Sequence, residues 1–151
     1  MSIAEICHHH PVTMRAIDEL TQAAQLMREK HIGYIVVVEP EPQGAGVRPV
    51  GVLTDRDIVI EVVASGAEAK LLKVGDVMTV PAVTISESAS SSVALAEMRR
   101  IGVRRMPVLG TRGQLVGVLS LDDLIGSLAR DLHEVSGSIM NQQRIEGALR
   151  L

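Results

Sequence analysis

Two short patterns carry the side chains best suited to chemistry. Gly51-Val52-Leu53-Thr54-Asp55-Arg56-Asp57 and Gly117-Val118-Leu119-Ser120-Leu121-Asp122-Asp123 share the form Gly-Val-Leu-(Thr/Ser)-x-x-Asp. In each, an apolar strand-like run ends at a hydroxyl residue where a helix is expected to start. Free backbone N–H groups and the helix dipole favour an anion at such a place. Asp57 or Asp123, one turn later, offers a carboxylate that can accept the two hydroxyl protons of a ribose. Together these groups suit a sugar phosphate. The pattern is equally a capping box with Asp in place of Glu, which stabilises a helix without any ligand. The leading glycine lets a second backbone or a ligand come close to the strand.

A second feature is Val103-Arg104-Arg105-Met106-Pro107-Val108. Two arginines before a proline are poor strand formers, whereas guanidinium groups give planar, multidentate phosphate contacts. The alternative is a solvated strand end paired with acidic neighbours. The equivalent residues nearer the N-terminus are Gly33-Tyr34-Ile35-Val36, which carry no cation. Unequal anion binding at the two places follows. Nucleophilic catalysis finds little support, because Cys7 lies too close in sequence to His8-His9-His10 for a base held by a scaffold. The sequence has no Gly-x-Ser-x-Gly elbow, phosphate-binding Walker loop or His-Glu-x-x-His zinc motif. The histidine run could hold a metal adventitiously, but an ordered site wants more converging ligands. His31 and His133 read as structural residues on helical patterns.

These residues must be positioned by a repeated unit. Pro11-Val12-Thr13-Met14 resembles Ala82-Val83-Thr84-Ile85, an offset of 71 (Thr84 against Thr13), which also pairs Met27-Arg28 with Met98-Arg99. Beyond the Pro/Gly-rich stretch 39–49 the offset falls to 66 (Gly117 against Gly51), as an insertion in a loop would require. Each copy reads β-α-β-β-α. Short strands are expected at Val12 to Met14 and Val83 to Ile85. A helix then carries Ile17, Leu20, Ala24, Met27 and His31 on one face, capped by Asp18, or by Ser86 or Ser88 in the second copy. Strand pairs follow at Tyr34 to Val38 with Val50 to Leu53, and at Met106 to Leu109 with Leu115 to Leu119. Second helices span about Asp55 to Ala64 and Leu121 to Leu132. The organisation is thus copy one at 1–66, a linker at 67–75, copy two at 76–130 and a polar helical tail at 131–151. Neither copy could bury much surface alone, so the two sheets are expected to pack together as one α/β (α+β) module.

Composition narrows the function. The 151 residues hold one Tyr and no Phe or Trp, which removes aromatic platforms for stacking bases of single strands. A net charge of −3 lacks the basic field of a nucleic-acid or anionic-membrane binder. The lone Cys7 cannot form an internal disulfide, and no apolar run approaches a bilayer span. A cytoplasmic protein is expected.

The duplicated unit resembles a pair of cystathionine-β-synthase (CBS) domains, the tandem called a Bateman module. The likeness covers about Ile3 to Arg130 and rests on Pro11 to Thr13, Gly33 to Val38 and Gly51 to Asp57, with Val83-Thr84, Gly102 to Val108 and Gly117 to Asp123. It implies two sheets packed with pseudo-two-fold symmetry around two clefts for adenine nucleotides or related adenosyl ligands, each built crosswise. Cleft one would use Thr54 and Asp57 with Thr84, Ala89, Arg104, Arg105, Met106 and Pro107, and would take AMP, ADP or ATP. Cleft two would use Ser120 and Asp123 with Thr13, Asp18, Tyr34 and Ile35. There Tyr34 replaces the basic residue and Val36 the proline, so the cleft would be empty or hold a less charged adenosyl compound. The resemblance further implies a non-catalytic regulatory module that needs no cofactor, forms a flat homodimer and signals to a separate regulated protein. The alternatives are a dimerisation scaffold without ligand and a metal- or redox-linked sensor through Cys7 and His8 to His10.

Overall fold

A computed structural model of the chain describes residues 2–44 and 46–150. A short helix, α1 (Ile3–Ile6), leads into strands β1 (His8–His9) and β2 (Thr13–Met14). Helix α2 (Leu20–Lys30) and the strands β3 (Tyr34–Pro40) and β4 (Val47–Thr54) follow. Helix α3 (Asp55–Ile58) then runs into a π-helical turn at Val59–Val63, and a 3-10 turn occupies Ala69–Leu71. The second set is α4 (Val74–Val77), β5 (Ile85–Ser86), α5 (Ser91–Ile101), β6 (Arg105–Leu109), β7 (Leu115–Ser120) and α6 (Leu121–Leu149). The β-α-β-β-α order is therefore present twice, each time with a short helix ahead of it.

The equivalent helices α2 and α5 bury equivalent side chains. Leu20, Ala23 and Met27 face the core from α2, and Ala94 and Met98 from α5, at helical spacing. Each ends on a left-handed residue, His31 (φ 53) or Gly102 (φ 78), whose N–H closes the last turn. The expected helix face needs correction at three positions, since Ile17 is 62% exposed and Ala24 and His31 also face solvent. The caps differ as well. Glu19 is the N-cap of α2, while the carboxylate of Asp18 accepts the Arg15 N–H at 2.7 Å. Ser90, rather than Ser86 or Ser88, accepts the Val93 N–H at the start of α5. Both helices start later than hydrophobicity alone suggests. The preceding turn is fixed by its neighbours: Leu20 N–H bonds Leu72 O, and the hydroxyls of Ser86 and Ser88 bond each other.

Two sheets form, with strand orders β1-β7-β6-β5 and β2-β3-β4. The pairs β2/β3 and β5/β6 are parallel, and β3/β4 and β6/β7 are antiparallel hairpins. The two copies exchange their opening segments. Strand β1, from the start of the chain, pairs with β7 of the second copy (His8 with Val118, His9 with Gly117). In the same way Thr79 bridges Val52 of the first copy. α1 and α4 are related by the same offset of 71 (Val74 against Ile3), so the repeat extends back to residue 3 and residue 74. The stretch 67–75, expected as a linker, holds the 3-10 turn and the start of α4, and Val74 is fully buried.

The exchange explains the glycine that opens each motif. A Cβ on Gly117 would lie 2.7 Å from the carbonyl oxygen of His8, and one on Gly51 would lie 2.9 Å from that of Thr79. The close approach is made by the exchanged backbone. Three clusters result. Ile3, Ile6 and Cys7 join Met98, Met106, Val108 and Leu119, whereas Val74 and Val77 join Leu20, Met27, Ile35 and Leu53. Between them Val36 and Val38 meet Val118, so the two sheets share an interface. The helix expected to about Leu132 and the helical tail expected after it are one element, since α6 runs unbroken for 29 residues.

Candidate functional site

The site grows from the end of each hairpin. Tyr34 opens β3 opposite Thr54, and Arg105 opens β6 opposite Ser120. Tyr34 and Arg105 are equivalent under the repeat offset of 71, and they meet. The Arg105 guanidinium carbon is 5.9 Å from the Tyr34 ring centroid, within cation–π range. Burial pushes the Tyr34 phenol well above its ordinary pKa, partly opposed by the Arg105 charge. Tyr34 is thus a neutral, half-buried shelf for an exposed cation.

Both hydroxyl–acid pairs are capping boxes. Thr54 Oγ1 accepts the Asp57 N–H at 3.0 Å, and Asp57 Oδ2 accepts the Thr54 N–H at 2.9 Å. Ser120 Oγ accepts the Asp123 N–H at 3.1 Å; Asp123 Oδ2 accepts the Ser120 N–H at 2.8 Å and the Ser120 hydroxyl at 2.6 Å. Cap and site are not exclusive readings, since Oδ1 of Asp123 takes no part in those bonds.

A cavity of about 370 Å³ opens over the second pair. Its lining includes His8, His10, His31, Gly33, Tyr34, Arg105, Ser120 and Asp123, with Pro11, Val12, Ile32, Val36 and Val118 as apolar walls. The exchanged strand supplies one side: His8 and His10 line the cavity, whereas the His9 ring turns to the carbonyls of Val116 and Ala4. Opposite, α2 ends at His31, and the next turn brings Ile32 and Gly33 into the lining. Gly33 makes room for the neighbouring Asp55 carboxylate, from which a Cβ would fall 2.5 Å away.

From the expected second cleft, Tyr34, Ser120 and Asp123 line this cavity; Thr13 and Asp18 do not, and Ile35 is buried in the core. From the expected first cleft, only Arg105 lines it. Thr54 and Asp57 are not in the lining: Thr54 pairs with Tyr34 at the end of the first hairpin, and Asp57 receives the Thr79 hydroxyl at 3.5 Å. Arg104 is 77% exposed and 4.0 Å from Asp122. Met106 and Pro107 are fully buried, Ala89 packs on the same core, and Thr84 is half-buried just before β5. Arg105, expected with Thr54 and Asp57, lines the cavity together with Ser120 and Asp123 and pairs with Ser120 across the hairpin.

The three cavity histidines were not foreseen as site residues. His8 and His10 could have been found by carrying the offset of 71 back to Ile3, which aligns His8 with Thr79. Among the described residues no three His, Cys, Asp or Glu side chains are grouped to hold an ion. Cys7 belongs to the core, where burial and then the Asp123 charge push its thiol pKa up. A raised pKa leaves little thiolate to react. Among the described residues no helix is long and apolar enough to cross a membrane.

Sheets with exchanged openings and helix-capping Thr/Ser-x-x-Asp turns, one in each copy, define a tandem-repeat module. The CBS-domain family model matches residues 3–64 and 74–130. The chain belongs to the CBS-domain family, as a tandem pair. It is 33% identical over 125 residues to the uncharacterised protein YlbB of Bacillus subtilis, covering 83% of this chain and 79% of that one. It is 29% identical over 125 residues to an uncharacterised protein of Methanopyrus kandleri, spanning 83% of this chain but 61% of the relative's length. A solved CBS-domain protein from Burkholderia ambifaria superposes with a TM-score of 0.75 at 28% identity, covering 87% of this chain and 96% of the other.

Proposed function

We propose that the cavity over Ser120 and Asp123 takes an adenine nucleotide, AMP, ADP or ATP, and that the chain is a non-catalytic sensor of that ligand. One observation carries this reading: Arg105, shelved on Tyr34, lines the same hollow as the Ser120–Asp123 turn. Asp123 Oδ1 would accept the ribose hydroxyls. Arg105, the Ser120 turn and the imidazoles of His8, His10 and His31 would face phosphate, and Val12, Ile32 and Val118 would flank the base. A hollow of this volume is in the range of small-molecule sites. Two hairpin ends, an exchanged strand and a helix terminus meet there, so an occupant touches both copies. Binding would favour one relative arrangement of the copies, and a separate regulated protein would read the shift. The other hydroxyl–acid pair, Thr54 and Asp57, with Thr84 and Arg104, would form the weaker or emptier cleft, which reverses the charge asymmetry expected from the sequence. We further propose a cytoplasmic homodimer.

A ligand-free dimerisation scaffold is the second reading, supported by two capping boxes that are complete without a ligand. The Cys7-linked redox reading is disfavoured by the buried thiol. A thermal-shift panel separates them. A specific ligand at about 100 times its Kd adds about 2.7 kcal/mol to stability. AMP, ADP or ATP is expected to raise the Tm of the natural chain, and adenosine to raise it less. The shift should vanish in Asp123→Asn, which keeps an acceptor for the Ser120 N–H but loses the charge. No shift with any adenosyl ligand would favour the scaffold, and a zinc shift lost in His8→Ala would favour a metal.

A further inference from the structure

Helix α6 begins on the body of the molecule and leaves it. Leu124 and Ser127 are its last buried residues; from Leu128 to Arg150 every residue is exposed. About 33 Å of helix therefore stands in water at 1.5 Å per residue. Its composition does not support that by itself, because Gly137, Gly147 and the Ser136/Ser138 pair are weak helix formers. In proteins most helical stability comes from packing an amphipathic face rather than from propensity, and this stretch packs on nothing in the body. The exposed side is not uniformly polar. Ile125, Leu128, Leu132, Val135 and Ile139 recur at alternating spacings of three and four, each between 53% and 63% exposed, and Leu149 continues the series after Gln142 and Glu146. That is the seam spacing of two helices packed together.

Charge along the helix identifies what covers the seam. Up to Glu134 it carries four carboxylates (Asp122, Asp123, Asp131, Glu134) against Arg130; from Val135 it carries Arg144 against Glu146, with Arg150 as its C-cap. A parallel copy would set acidic half on acidic half. An antiparallel copy sets acidic half on basic half and opposes the two helix dipoles. We infer that α6 is an interaction helix that pairs with the α6 of a second copy of this chain, antiparallel, through the Leu128–Leu132–Val135–Ile139 seam. The inference does not depend on what fills the cavity.

Sedimentation equilibrium of the full chain tests it, alongside the Leu132→Glu/Ile139→Glu double variant, whose changed residues touch nothing in the body. Self-association of the natural chain is expected, with at least tenfold weaker association in the double variant and a loss of far-UV helical signal. Orientation is read from spin labels at Leu149→Cys in a Cys7→Ser background. Antiparallel pairing puts the two labels more than about 30 Å apart, and parallel pairing puts them about 10 Å apart. A monomeric natural chain, unchanged association in the double variant, or a label distance near 10 Å would each overturn the proposal.

Discussion

Arg105 acts as it does because of one neighbour. On a strand end in water its long side chain would be free, but the half-buried Tyr34 ring beneath it gives the guanidinium a shelf. Cation–π contacts of this partly exposed kind contribute roughly 0.5–1 kcal/mol, enough to bias a rotamer rather than hold a fold. Tyr34→Leu is accordingly expected to weaken nucleotide binding several-fold while leaving Tm nearly unchanged, as isothermal titration and a melt would show. Ser120 caps α6 whatever the cavity holds. Ser120→Ala removes the acceptor of the Asp123 N–H and should destabilise by about 1 kcal/mol, the usual loss for an N-cap, read by urea unfolding. The sequence displayed both hydroxyl–acid pairs and both arginines. It did not display which pair Arg105 would join, because side-chain direction at a strand end is settled by the partner sheet.

Among the elements, the short strand β1 and its counterpart near Thr79 do the most to shape the site. Each lies within about 3 Å of a glycine position on the sheet of the other copy. Gly117→Ala must push the His8 carbonyl away, and overpacking of that kind typically destabilises by about 1–3 kcal/mol. Chemical denaturation should show that loss, together with weaker ligand binding, since His8 and His10 ride on the displaced strand. Equal stability in Gly117→Ala would mean that the close approach has no consequence. Gly51→Ala should lower stability by a similar amount and spare the cavity over Asp123. The glycines were visible in the sequence as places of close approach. Their partners were hidden because His8–His9 and Thr79 are too short and polar to read as strands, and they form only where a foreign edge receives them.

For the molecule as a whole, the exchange makes each copy depend on the other. Ile3 is fully buried against Met106 and Leu119 of the second copy, although it opens the first. Ile3→Ala is expected to destabilise by about 2–5 kcal/mol, with a single cooperative unfolding transition seen alike by two spectroscopic probes. Two separate transitions would mean that the copies fold independently. The duplication and its β-α-β-β-α order were legible because apolar spacing and the motif recur at fixed offsets. The exchange and the departure of α6 were not, since both depend on surfaces brought together only by folding.

The most direct measurement compares AMP with adenosine by isothermal titration, on the natural chain and on Arg105→Ala. A charge-assisted contact of about 1.5–3 kcal/mol corresponds to roughly 10- to 150-fold in affinity. The natural chain should therefore prefer AMP by at least about tenfold, and Arg105→Ala should lose most of that preference while binding adenosine as before. An undiminished preference for AMP in Arg105→Ala, or its loss in Arg104→Ala instead, would contradict the assignment of phosphate to the hollow shared by Arg105, Ser120 and Asp123.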